Sequence, residues 1–95
     1  MTDEELLAKA KRKLNITWSD ETTDARVKDA IEAARPRLAH LIGVDAESGV
    51  LESGEELGLL MEAVFYAFND ASDEFARNYA PDVLRLRMKH EAHDA

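Results

Sequence analysis

The side chains with the greatest capacity for chemistry lie at the C-terminal end of the sequence. His90, His93 and Asp94 are spaced so that a helix would present them on one side, and imidazole and carboxylate groups are ordinary zinc ligands. Metal-binding histidines generally depend on further side chains that orient them, and a terminal segment offers none. We therefore predict no metal site here.

Other titratable residues have simpler structural interpretations. His40 lies near the predicted end of a helix, where a capping or partly buried role is expected. Glu55, Glu56 and Glu62 could suggest paired carboxylates, but two of them fit the first turn of a helix, where carboxylates interact favourably with the helix dipole. The sequence contains no glycine-rich phosphate loop, GxSxG or HExxH motif and no cysteine. We predict a protein without catalytic activity, cofactor or metal.

The composition indicates one small globular domain. The chain has 95 residues, of which 45% are hydrophobic and 34% charged. We expect a single helical domain over residues 1–95, with a flexible tail at 91–95 and a modest core that oligomerisation would help to stabilise. The sequence has no apolar run of membrane-spanning length and begins with an acidic amphipathic stretch, unlike a signal peptide. We therefore expect no membrane contact and a cytosolic location.

The charge distribution bears on the partners. The net charge is −8, and the nine acidic residues between Arg37 and Arg77 are accompanied by no Lys or Arg. Bases concentrate near the ends, at 9–13 and 85–89. This disfavours phosphate binding as the main function, since DNA affinity derives largely from Lys and Arg. Complementary regions suit head-to-tail packing of identical subunits, although the charges also fit a merely solvated surface.

The stretch from Glu55 to Tyr79 predicts the organising element. Its apolar residues recur at helical spacing and include every Phe and Tyr of the chain. The pattern stays in phase across Asn69 and Asp70, so we predict one long helix that ends before Pro81. Its predicted core residues are Leu57, Leu60, Met61, Val64, Phe65, Phe68, Phe75 and Tyr79.

Two helices are predicted before this stretch. The first runs from Asp3 to Leu14 and opens with a capping box of Thr2 and Glu5. The connector that follows contains Trp18, which we expect to cover the edge of the core.

The second helix begins at a cap of Thr22 or Thr23 and ends at Gly43. Its apolar period continues past Pro36, which favours one bent helix over two separate helices.

A loop and a short helix complete the predicted architecture. Residues 44–54 read as a loop, after which Ser53 and Glu56 form a second capping box. The last helix is predicted over 81–90. The fold class is thus all-α, a small bundle of about four helices around one long central helix. The interface candidates are Val50, Leu51, Val83, Leu84, Arg85, Leu86, Arg87 and Met88. The two loop residues could equally pack onto the core of their own chain, and the last helix is expected to lie partly in the core and partly at an interface.

The order of these features resembles the small head-tail connector, or head-completion, proteins of tailed bacteriophages and prophages. The likeness covers TTDARVKDAIEAARPRL in the second helix, then FYAFNDASDEFARNYAPDVLRLR. It rests on Asp24, on Tyr66 and Asn69, on Phe75, Asn78 and Tyr79, and on Leu84, Leu86 and Arg87. Pro36 and the RMKH segment depart from the pattern.

The resemblance implies a structural virion protein that is located at the head-tail junction of the virion and in the host cytoplasm during assembly. It would form a homo-oligomeric ring, with a dodecamer as the candidate size, beneath the portal protein. The ring would support the next head-completion or tail protein, and genomic DNA would pass through it without specific binding. A second interpretation is a small helical adaptor or regulator that acts as a monomer or dimer. Nucleic-acid binding through the basic first helix is a third, which the acidic body disfavours.

Overall fold

The computed structural model describes residues 1–94, with side chains through residue 92. Five α-helices and one 3-10 turn account for most of this range, which contains no β-strand, and the all-α prediction is confirmed. The helices are α1 (Asp3–Lys13), α2 (Glu21–Ile42), α3 (Gly54–Phe68), α4 (Ser72–Asn78) and α5 (Ala80–Asp94), with the 3-10 turn at Val50–Glu52. None of the helices within residues 1–94 combines the length and apolarity that crossing a bilayer requires.

Local sequence signals set the ends of α1. The Thr2 hydroxyl accepts from the Glu5 N–H at 3.1 Å, and the Thr2 N–H donates to Glu5 Oε1 at 3.2 Å, so the predicted capping box is present. At the other end Asn15 adopts a left-handed conformation with φ of 60°. The Ile16 N–H then bonds back to the Lys11 carbonyl at 2.8 Å, a Schellman-type ending that satisfies a free carbonyl.

Helix α2 crosses Pro36 without interruption, as the apolar period predicts. Its cap differs from the prediction, because Asp20 and not Thr22 or Thr23 is the N-cap residue. The Asp20 carboxylate accepts from the Thr23 hydroxyl at 2.8 Å and from the Thr22 N–H at 3.4 Å. Gly43 ends the helix in the left-handed conformation, with φ of 75°.

The prediction of one helix over Glu55–Tyr79 is wrong. Helix α3 ends at Phe68, and Asp70 takes a left-handed conformation with φ of 55°. The Ala71 N–H bonds to the Tyr66 carbonyl at 2.8 Å, and the Asn69 side chain donates to the Phe65 carbonyl. Asn and Asp tolerate this conformation better than other non-glycine residues, so the pair ends the helix although the apolar period continues.

The break brings together aromatic rings that a straight helix would separate. Nine residues of helix would place Tyr66 and Phe75 about 13 Å apart along the axis. Their ring centroids instead lie 6.0 Å apart, and Tyr79 stacks on Phe75 at 5.1 Å. The Asn78 amide donates to the Tyr66 hydroxyl at 3.2 Å. These residues form the corner at which α4 and α5 depart from α3.

The core lies where α3 packs against α1, α2, α4 and the 3-10 turn. Of the predicted core residues, Phe68 and Tyr79 are only partly buried. Phe65 is 40% exposed, so its assignment to the core is wrong. The remaining five are buried: Leu57, Leu60, Met61, Val64 and Phe75.

Candidate interaction surface

Helix α5 separates the interface candidates onto two faces. Leu86 faces inward and is 1% exposed, and Val83 is half-buried beside it. Leu84 and Met88 face outward with 58% and 60% of their surface exposed. The apolar and basic residues that alternate in α5 therefore do not lie on one surface. The assignment of Leu86 to an interface is wrong, because the helical period places its side chain in the core.

An exposed apolar row runs along the outer face of α5. Its four members follow at spacings of three, four and four residues, so they share one side of the helix. We call this row the outer stripe; it consists of Pro81, Leu84, Met88 and Ala92, all of them exposed.

Basic side chains flank the outer stripe on both sides. Arg85 lies on one side, where its guanidinium bonds to Glu55 at 2.7 Å and to Asp82 at 3.3 Å. Arg87 lies on the other, bonded to Glu91 at 3.1 Å. Both bases are more than half exposed, so these ion pairs remain hydrated and contribute little to stability. Because their guanidinium groups are exposed, both bases can also bind carboxylates of another molecule.

A buried carboxylate holds α5 against the start of α3. Glu56 Oε2 accepts from Lys89 Nζ at 2.9 Å and lies 2.9 Å from His90 Nε2. Glu56 is 6% exposed and is the one charged residue among the described side chains that is buried. Glu56 therefore does not act in the capping box that the sequence predicts. Within the described chain, the Ser53 side chain makes no capping hydrogen bond to α3.

Two opposed effects act on the pKa of Glu56. Burial raises the pKa by disfavouring the charged form. The hydrogen bonds from Lys89, from the Glu56 backbone N–H and from His90 outweigh burial and hold the pKa below its usual value of 4.5. Glu56 is thus a charged anchor for α5. Sequence reasoning missed it, since nothing local links residues 34 positions apart.

The loop candidates also divide. Leu51 is 1% exposed and packs into the core from the 3-10 turn, so its assignment to an interface is wrong. Val50 is half-buried beside it. Leu51 is buried because the 3-10 turn directs its side chain inward, where it closes the core beneath the loop between α2 and α3.

Trp18 is a further exposed ring, and its expected role as a cover for the core is wrong. It is 55% exposed, while its neighbour Ile16 is buried at 8%. The Schellman ending at Asn15 turns Ile16 inward, so Ile16 joins the core and Trp18 does not.

Helices α1 and α2 enclose an open apolar groove. They are joined at one end by Lys11, whose Nζ lies 2.8 Å from Asp24 Oδ1. Towards the other end the groove has a volume of about 310 Å³. We call it the α1–α2 groove; it is lined by Leu6, Leu7 and Ile31 and rimmed by Asp3, Glu4, Lys28, Glu32 and Arg35.

The histidines considered as metal ligands fall into two groups. His90 is occupied by its contact with Glu56. The side chains of His93 and Asp94 lie outside the described residues. Over the described side chains, no group of three or more His, Cys, Asp or Glu residues is arranged to hold a metal ion. Helix α5 continues to Asp94, past the predicted end at His90.

Comparison of the chain with protein-family models, with curated proteins and with solved structures gave no match.

Proposed function

We propose that this protein is a non-catalytic structural subunit that assembles into a ring at the portal vertex of a tailed phage. The ring joins capsid to tail and extends the DNA channel. The proposal is motivated by the sequence resemblance described above. Its partners are further copies of itself, the portal protein, and the next head-completion or tail protein, and its location is the virion.

The observation that carries the proposal is the outer stripe of α5. Single exposed apolar residues are ordinary, but a row along one side of a helix marks an interaction surface. Leu84 and Met88 both expose more than half of their surface, although the neighbouring Leu86 is buried. A chain of 95 residues has limited core to spare, so two large apolar side chains left outside indicate burial against a partner.

The charge of the surface is compatible with a DNA channel. The protein carries a net charge of −8, and the segment from 45 to 74 contains acids and no Lys or Arg. A channel lining that repels phosphate lets DNA slide, whereas a basic lining would retain it. This argument also opposes sequence-specific nucleic-acid binding.

Electron microscopy and native mass spectrometry of the purified protein over a wide concentration range test the proposal. We expect closed rings of uniform subunit number with an open centre. The double variant Leu84→Glu/Met88→Glu should retain the helical circular dichroism of the parent protein and lose the rings. A parent protein that remains a monomer or dimer throughout, also when mixed with portal-bearing capsids, would favour the adaptor interpretation and refute ours.

A further inference from the structure

We propose that the outer stripe of one copy docks into the α1–α2 groove of the next copy. This inference rests on the proposed assembly into rings and names the contact that builds them. It commits to a second copy of this chain as the occupant of the groove.

Both surfaces are apolar and open to solvent. Leu7 and Ile31 contribute to the floor of the groove, and no described residue of the same chain fills its volume of about 310 Å³. The outer stripe presents Leu84 and Met88 one helical turn apart, as projecting side chains. Burying such side chains in an apolar groove is the arrangement by which an amphipathic helix is recognised.

The charges around the two surfaces are complementary. Asp3, Glu4 and Glu32 rim the groove, and none of them forms a salt bridge within the described residues. Of the two bases at the rim, Arg35 contacts Glu52 at 3.5 Å, which leaves Lys28 against three carboxylates. The stripe is flanked on its two sides by the half-exposed bases Arg85 and Arg87. Docking therefore brings cations to carboxylates that form no salt bridge among the described residues.

Charge also disfavours the alternative in which two α5 helices pair with each other. Each flank of the stripe carries a base that is already paired within its own chain, Arg85 with Glu55 and Asp82 and Arg87 with Glu91. A stripe facing its own copy would therefore offer these bases no unpaired carboxylate among the described residues. Self-pairing is also isologous and stops at a dimer. The stripe and the groove are different surfaces of one chain, so their contact is heterologous and repeats from copy to copy, as assembly of a ring requires.

Disulfide trapping tests the contact directly, because the chain has no cysteine of its own. Leu84→Cys places a thiol on the stripe and Lys28→Cys places one on the groove rim; both native residues are exposed. The two variants are mixed at high protein concentration under mild oxidation. The matched control replaces the groove variant with Glu47→Cys, an exposed loop position outside the groove. Circular dichroism establishes that each variant is folded.

We expect the Leu84–Lys28 heterodisulfide to form at least about ten times faster than the control pair. Adding Met88→Glu to the Leu84→Cys variant should reduce this rate to that of the control, since the stripe then carries a charge into an apolar groove. A second pair, Met88→Cys with Glu32→Cys, is the reporter if either first variant fails to fold. The inference is overturned by a rate no higher than the control, or by Leu84→Cys homodimers as the main product.

Failure of this inference can be distinguished from failure of the proposed function. Rings in the electron microscope without the stripe–groove disulfide would overturn the contact and leave the ring standing. The disulfide without rings would support the contact and refute ring closure. Absence of both would refute the two together.

Discussion

Replacing Glu56 by Gln tests how α5 is held to the rest of the fold. Glutamine keeps the shape of the side chain and an acceptor oxygen, and it removes the charge. Two contacts at 2.9 Å, to Lys89 and to His90, lose the charge on their acceptor oxygen, so the contact with Lys89 changes from an ion pair to a hydrogen bond with a neutral acceptor. Charge-assisted bonds contribute about 1.5–3 kcal/mol against about 1 kcal/mol for neutral ones.

Solvent and burial reduce the net effect of the substitution. The Lys89 side chain is 46% exposed, so its ammonium group can be hydrated when its partner loses its charge. In addition, the neutral amide of glutamine is less costly to bury than the carboxylate. We therefore expect Glu56→Gln to lower the free energy of unfolding by about 2 kcal/mol at pH 7. For a chain of this size such a change lowers the melting temperature by roughly 8–16 °C.

The adjacent residue supplies a matched control. Glu55 also bonds to a base on α5, at 2.7 Å from Arg85, but its side chain is 56% exposed. Exposed ion pairs contribute little, so Glu55→Gln should leave the urea midpoint unchanged. Equal midpoints for the two variants would refute the claim that the buried carboxylate anchors α5.

The pH dependence of stability provides a second readout. The folded pKa of Glu56 is depressed, so its contribution is present above the unfolded value of about 4.5 and is lost as pH falls through the folded pKa. The stability difference between wild type and Glu56→Gln should therefore be full at pH 7 and diminish below pH 4.5. A difference that stays constant down to pH 3 would contradict the assigned direction of the pKa shift.

Three further predictions concern packing and backbone. Leu86→Ala should lower the free energy of unfolding by about 2–5 kcal/mol, whereas Leu84→Ala should change it by less than about 0.5 kcal/mol. Both are measured by urea denaturation of the monomer at low protein concentration, and similar values would contradict the division of α5 into two faces. Asp70→Val should lower the free energy of unfolding by about 1–2 kcal/mol in the same assay, because a β-branched residue resists the left-handed conformation. Asp70→Gly should be neutral or stabilising, and a neutral valine variant would mean that α3 does not end there. Trp18 should fluoresce at nearly the same wavelength in the folded and the urea-unfolded protein, and Trp18→Ser should leave the melting temperature unchanged; a marked red shift on unfolding would show that the ring is buried.

The start of α1 and the end of α2 were readable from the sequence because short-range chemistry fixes them. The Thr2 and Glu5 side chains act within one turn, and Gly43 supplies a left-handed residue where the apolar period stops. The same chemistry was present at Asn69 and Asp70, but there it competed with an apolar pattern that stayed in phase. The termination signal decided the outcome, and the aromatic corner around Tyr66 is its consequence.

The sequence by itself determined the helical class, the positions of most helices and the contrast between an acidic middle and basic ends, because these depend on periodicity, capping and composition. Only the tertiary structure decided which apolar residues are left outside. Leu51 and Leu86 pack inward, while Phe65 and Trp18 remain exposed. The anchoring of α5 by Glu56 was equally inaccessible to local reasoning. Burial depends on which helix packs against which face, and that choice is made by the whole chain at once.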